Sequence, residues 1–228
     1  MKYLNITRYL GRYTLALSLL VLTLGLTACD SDPNGDTPQV TLRIAAENAP
    51  AKGQSAIVIE EAKLLLKNIK FTPVSDDSTG REFKTGMIAV TLNLDGQPNE
   101  IAVGTVPPDT YKRITFKIHK PEDDETPPDP DFKEGTSGDQ RFSVIVRGSK
   151  DGQPFTLKIR KSMDQRVELV PPLVIDETTG DINVTLLADL SRWFVDEQGR
   201  GLDPLNFDHH DAIADAIKDS FRALSVDD

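Results

Sequence analysis

Residues 111–119 read Tyr111-Lys112-Arg113-Ile114-Thr115-Phe116-Lys117-Ile118-His119. Polar and apolar side chains alternate here with a period of two, the geometry of a strand with one face in a core and one outside it. Ile114, Phe116 and Ile118 are predicted to point inward, with Tyr111, Arg113, Thr115, Lys117 and His119 on the other face. The same period recurs at Val40, Leu42 and Ile44, and again at Ile182, Val184 and Leu186. Phe142, Val144 and Val146 face Phe155, Leu157 and Ile159 across Lys150-Asp151-Gly152-Gln153, and the Asp-Gly pair predicts a tight hairpin there. Further strands are expected over 87–94, 101–106 and 166–170.

Residues 55–74 admit two periods. A helical face runs through Val58, Ala62, Leu65, Leu66 and Ile69, while Ala62, Leu64 and Leu66 also alternate as in a strand. The β-rich ends favour strand, as two pieces or one long bent one. About eight to ten short strands separated by turns predict a mainly β protein, an antiparallel β-sandwich. Two later stretches look helical. Asp189 is placed to cap a short helix over 190–198, and in residues 208–224 Ile213, Ile217, Phe221 and Leu224 recur at helical spacing, predicting a C-terminal helix facing the sandwich.

The N-terminus carries an address. Lys2, Arg8 and Arg12 precede a 13-residue apolar run, 14–26, too short for a comfortable membrane span of about 20 residues. Leu26-Thr27-Ala28-Cys29 follows and resembles the bacterial lipobox, which implies cleavage before Cys29 and lipid on its sulfur and amine. Cys29 is the single cysteine of the chain, so no internal disulfide can form. Residues 30–38, DSDPNGDTP, have turn-forming composition and are read as a flexible tether. Their spaced Asp32, Asn34 and Asp36 begin like a calcium loop but continue with Thr37 and Arg43 where Gly and Glu are needed.

Charge narrows the partners. The chain of 228 residues has 26 Lys+Arg and 36 Asp+Glu, and without residues 1–28 the remainder carries 23 against 36, net −13. An acidic body is unsuited to nucleic acid and to lying on an anionic bilayer. Residues 120–140 hold eight carboxylates and four prolines with no structural period, and are expected to be a solvated, disordered loop, with a calcium- or partner-binding loop as the sharper alternative. The expected organisation is a signal peptide over 1–28, a tether over 29–38, a sandwich over 39–188 and a helical segment over 189–228 packed on it.

Val106-Pro107-Pro108-Asp109-Thr110-Tyr111-Lys112-Arg113-Ile114 resembles a turn-into-strand pattern of uncharacterised bacterial envelope lipoproteins with transthyretin-like or carboxypeptidase-regulatory-like sandwiches. Asp109 stands where that pattern has Gly. The resemblance implies a sandwich fold and an envelope location, and no activity.

Chemistry is sparse. The chain has no G-x-S-x-G, P-loop or H-E-x-x-H motif. Asp208, His209, His210 and Asp211, with Asp215 one turn further on, are the densest set of metal-capable side chains, but neighbouring His side chains on a strand or helix diverge, so no metal or other cofactor is expected. Trp193 and Phe194 are either a ligand contact or a core anchor. The expectation is a non-catalytic binding module, held to a membrane through Cys29 and contacting an envelope protein or surface polymer. A solute- or glycan-binding lipoprotein serving a transporter is the alternative. Inner membrane, outer membrane and cell surface all fit.

Overall fold

The computed structural model describes residues 38–47, 57–75 and 80–227. The expected signal peptide, the expected lipobox of Leu26, Thr27, Ala28 and Cys29, and the expected tether up to Thr37 lie outside them.

The fold is mainly β, two unclosed sheets with one short helix near the C-terminus. The strands are β1 Gln39–Glu47, β2 Ile57–Pro73, β3 Arg81–Lys84, β4 Ile88–Thr91, β5 Asn99–Thr105, β6 Asp109–Ile118, β7 Val144–Lys150, β8 Gln153–Ile159, β9 Met163–Ile175, β10 Ile182–Asp189 and β11 Phe221–Asp227. The helix α1 is His210–Lys218. One sheet runs β11-β10-β1-β5 and the other β8-β7-β2-β6-β9, with β3 and β4 also on β2. All pairings are antiparallel except β1 with β10, which is parallel.

The inner faces follow the alternation. Val40, Leu42 and Ile44 of β1, Ile114, Phe116 and Ile118 of β6, and Ile182, Val184 and Leu186 of β10 are buried in one core. Residues 57–73 form a single strand. At its middle Asn68 adopts φ 56°, a left-handed conformation that Asn tolerates better than branched residues, and the register with β6 slips between Lys67 and Lys70. Of the two strand readings, one long strand is the one found, with this bulge inside it. Because β4 and β7 both pair with Lys63 and Leu64, they must flank β2 on opposite edges.

The β7–β8 hairpin closes as predicted. Asp151 and Gly152 have φ of 51° and 81°, the two positive values that a type I′ turn requires, and Lys150 pairs with Gln153. Tyr111 departs from the simple alternation. A register shift between Tyr111 and Arg113 turns its ring into the core, where it meets Phe71 edge-on at 5.7 Å. Its hydroxyl donates to Pro107 O at 2.6 Å, the arrangement of a tyrosine corner.

Three expectations are corrected. Residues 120–140 are ordered and built onto the outer face of β2 and β7. Phe132 is fully buried there with Leu65, Phe142 and Ile145, forming a second, smaller core. The carboxylates meet cations that the strands present outward. Lys63 Nζ reaches Asp129 and Asp131 at 2.9 Å each, and Arg147 joins Asp131 at 3.1 Å and also pairs with Glu61. Arg141 pairs with Asp123 at 2.7 Å, Lys67 pairs with Glu125, and His119 Nε2 lies 2.5 Å from Glu125 Oε2. Composition signals a solvated loop; long-range pairing overrides it.

The second correction concerns α1, which stops at Lys218 instead of running to Leu224. Ser220 Oγ donates back to Ile217 O at 2.7 Å, a side-chain bond that competes with helix continuation, and the chain then pairs with β10 as β11. Leu224, expected to face the core, is exposed, while Phe221 meets Phe116 edge-on at 5.7 Å. The third correction concerns 190–198, where Asp189 does cap, accepting from Ser191 N at 3.1 Å, but the turn is a single 3-10 piece, Leu190–Arg192.

Candidate functional site

After the 3-10 turn the chain folds back on itself. Leu202 N donates to Phe194 O at 2.8 Å, Val195 and Gly201 form a bridge, and Gly199 takes φ +77° at the tip. Asp196 organises this small hairpin. Its Oδ1 accepts from Gln198 N at 3.0 Å and Arg200 N at 2.8 Å, and its Oδ2 accepts from Arg200 Nε at 2.6 Å. The Arg200 backbone bond, with the guanidinium beside it, holds the Asp196 carboxyl below the usual carboxylate range.

Between this hairpin and α1 lies a cleft of about 750 Å³. The hairpin wall presents Arg192, Glu197 and the Arg200–Asp196 pair; the helix wall presents His209, Asp215 and Asp219; Val195, Leu202, Ala212 and Ala216 supply apolar surface. Helical spacing explains the second wall, since positions 212, 215, 216 and 219 fall on one side of a helix whose opposite side buries Ile213, Ala214 and Ile217.

His209 accepts from Asp203 N at 2.8 Å through Nδ1, so in the neutral ring the proton sits on Nε2. Asp203 in turn accepts from Lys150 Nζ at 2.5 Å, which leads the bonds that hold its carboxyl below the ordinary range. Asp215 Oδ1 accepts from Lys161 Nζ at 2.7 Å. Arg192, Glu197 and Asp219 have no side-chain partner among the described residues.

The candidates read from sequence fall as follows. Trp193 is fully buried, its Nε1 donating to Ser220 Oγ at 2.8 Å, and Phe194 is buried edge-on to Phe155 at 5.9 Å. Neither is among the residues that line the cleft. Asp208 and Asp211 are exposed, and His210 Nε2 lies 3.2 Å from Pro204 O with its ring against Phe207. Of that set, His209 and Asp215 line the cleft. Among the described residues no three His, Cys, Asp or Glu side chains gather where one ion could bind them. Among those residues no helix is long and apolar enough to cross a membrane. Arg192 and Arg200 were not singled out by sequence reasoning, and His209 entered only as a member of the Asp208–Asp211 cluster; for the arginines the one local signal was Asp196-Glu197-Gln198-Gly199-Arg200, a turn with its own capping acid.

No family model matches the chain, and no curated protein does. Among solved structures it is similar to MbnP from Methylosinus trichosporium, with 10% identity over 65% of this chain and 75% of that one, at a TM-score of 0.40. At that level the likeness is one of distant β-rich structure and carries nothing about ligand or partner.

Proposed function

We propose that the protein is a lipid-anchored bacterial envelope lipoprotein whose sandwich is a non-catalytic binding module carried on a tether. The observation that carries the anchor is Leu26-Thr27-Ala28-Cys29 directly after a basic start and a 13-residue apolar run, with the only cysteine at the cleavage point. Acylation at both the sulfur and the amine gives stable membrane attachment, where one chain gives marginal binding. The net charge of −13 after residue 28 favours a body standing off an anionic surface.

The binding role is supported by the cleft between the 194–202 hairpin and α1, walled by charged groups on well-braced supports. Its imidazole, His209, spends Nδ1 on a backbone N–H, so no carboxylate orients it as a general base. The solute-binding alternative draws on the same concavity. A sugar ligand would ordinarily stack on aromatic walls, whereas Trp193 and Phe194 are enclosed.

The test is metabolic labelling with an alkyne palmitate analogue, followed by membrane fractionation, of wild type and Cys29→Ala. The expected result is a labelled, membrane-bound wild type and an unlabelled Cys29→Ala that leaves the membrane pellet or keeps residues 1–28 uncut. A Cys29→Ala protein that is processed and still membrane-bound would overturn the anchor. Protease shaving of intact cells then distinguishes a surface position from an internal one.

A further inference from the structure

The cleft holds opposite charges that do not satisfy each other. Arg192 lines the hairpin wall and Asp219 the helix wall, both exposed, and neither pairs with the other or with any described side chain. The other charges there are largely spoken for: Asp196 by Arg200, and Asp215 by Lys161. Glu197 is the remaining unpartnered acid, on the Arg192 wall. The walls themselves are fixed. Asp196 bonds brace the hairpin, and the Trp193–Ser220 bond joins the base of one wall to the end of the other. The volume is within the range of about 300–1,000 Å³ typical of small-molecule sites. An ordered gap with a guanidinium on one wall and a free carboxylate on the other fits a ligand that carries both charges itself. The apolar strip of Val195, Leu202, Ala212 and Ala216 fits small aliphatic side chains between them.

We infer that this cleft binds a short zwitterionic peptide with small aliphatic residues, its carboxylate on Arg192 and its ammonium on Asp219. Arg192 offers the bidentate fork that matches a carboxylate, and Arg200, whose Nε and Nη2 are bonded to Asp196 and Gln198, lines the same cleft. His209 also lines the cleft and, with Nδ1 accepting from Asp203 N, carries an Nε2–H donor for a peptide carbonyl. The inference rests on the binding-module reading and names its ligand class.

The experiment is an NMR titration of full-length protein in detergent with trialanine, N-acetyl-trialanine and trialanine amide. Trialanine is expected to shift amides of 192–201 and 209–219, and each blocked peptide to bind roughly tenfold more weakly, the loss expected when one charge-assisted contact is removed. Arg192→Gln should weaken trialanine and leave the amide unchanged; Asp219→Asn should weaken trialanine and leave the acetylated peptide unchanged. A variant that merely loosened the fold would weaken all three alike. No shifts at millimolar trialanine, equal binding of the blocked forms, or the same shifts produced by a neutral trisaccharide instead would each overturn the assignment. Hydrolysis of trialanine at the cleft would support this ligand class while overturning the non-catalytic reading, and none of these outcomes bears on Cys29.

Discussion

Trp193 donates its indole N–H to Ser220 Oγ at 2.8 Å across 27 positions of chain, and the Ser220 hydroxyl in turn donates a hydrogen bond to Ile217 O at 2.7 Å. One hydroxyl thus ends the helix, satisfies a buried indole and ties the cleft's two walls together. A serine is needed because it donates and accepts at once.

Ser220→Ala leaves that indole N–H buried without a partner. The expected cost is about 1–3 kcal/mol in urea unfolding followed by circular dichroism. In a Trp193→Phe background the same substitution should cost less, since no N–H remains to be orphaned. Equal costs in both backgrounds would show that the bond contributes little.

Phe132→Ala should empty the small outer core without touching the inner one. Truncation of a fully buried Phe typically costs about 3–5 kcal/mol, and here the loss should fall mainly on the docking of 120–140. Limited trypsin digestion at Lys133 is the measurement. Unchanged cleavage would mean that the ion pairs alone hold the segment.

Two glycines separate two kinds of strain. A Cβ on Gly148 would lie 2.0 Å from Val58 O, where β2 and β7 approach at a bulge, so Gly148→Ala should cost about 3 kcal/mol or more, or abolish soluble protein. A Cβ on Gly152 meets nothing within 4 Å, and only its φ of +81° objects, so Gly152→Ala should cost about 1–2 kcal/mol. Comparable melting of the two variants would refute the contrast.

Glu125 sets a pH dependence. Burial alone would raise its pKa, but bonds from Lys67, Glu122 N and His119 outweigh that and hold it at about 2. The folded value lies below the unfolded one, so this carboxylate contributes stability that is fully present above about pH 4.5 and is lost as pH falls toward 2. One such group changes stability by at most about 1.4 kcal/mol per pH unit, and less here because the site is partly solvated. Urea midpoints should therefore fall more steeply between pH 4.5 and 2.5 for wild type than for Glu125→Gln. Parallel profiles would remove Glu125 as a contributor.

Much of the β framework was legible locally. The faces of β1, β6 and β10 follow from alternation, because adjacent side chains on a strand must point opposite ways, and the Asp151-Gly152 turn follows from the positive φ that those two residues tolerate. The lipobox-like stretch Leu26-Thr27-Ala28-Cys29, too, is a local pattern. Legibility failed where a distant partner decided the outcome. The apolar spacing Ile217, Phe221, Leu224 is helical taken alone, yet the open edge of β10 takes residues 221–227 as a strand. The eight acids of 120–140 read as solvated because composition does not reveal Lys63, 66 positions before Asp129, or Lys67, 58 before Glu125.

The cleft belongs wholly to this second category. No motif joins Arg192 to Asp219; what joins them is Trp193 meeting Ser220. Sequence by itself determined the inward faces of β1, β6, β7, β8 and β10 and the Asp151-Gly152 turn, because each depends on neighbours within a few residues. Tertiary structure alone decided the parallel β1–β10 pair, the neutralisation of the acidic segment and the opposed charges of the cleft. Each of those requires an interaction between groups far apart in the chain, and chain closure, not local propensity, brings such groups together.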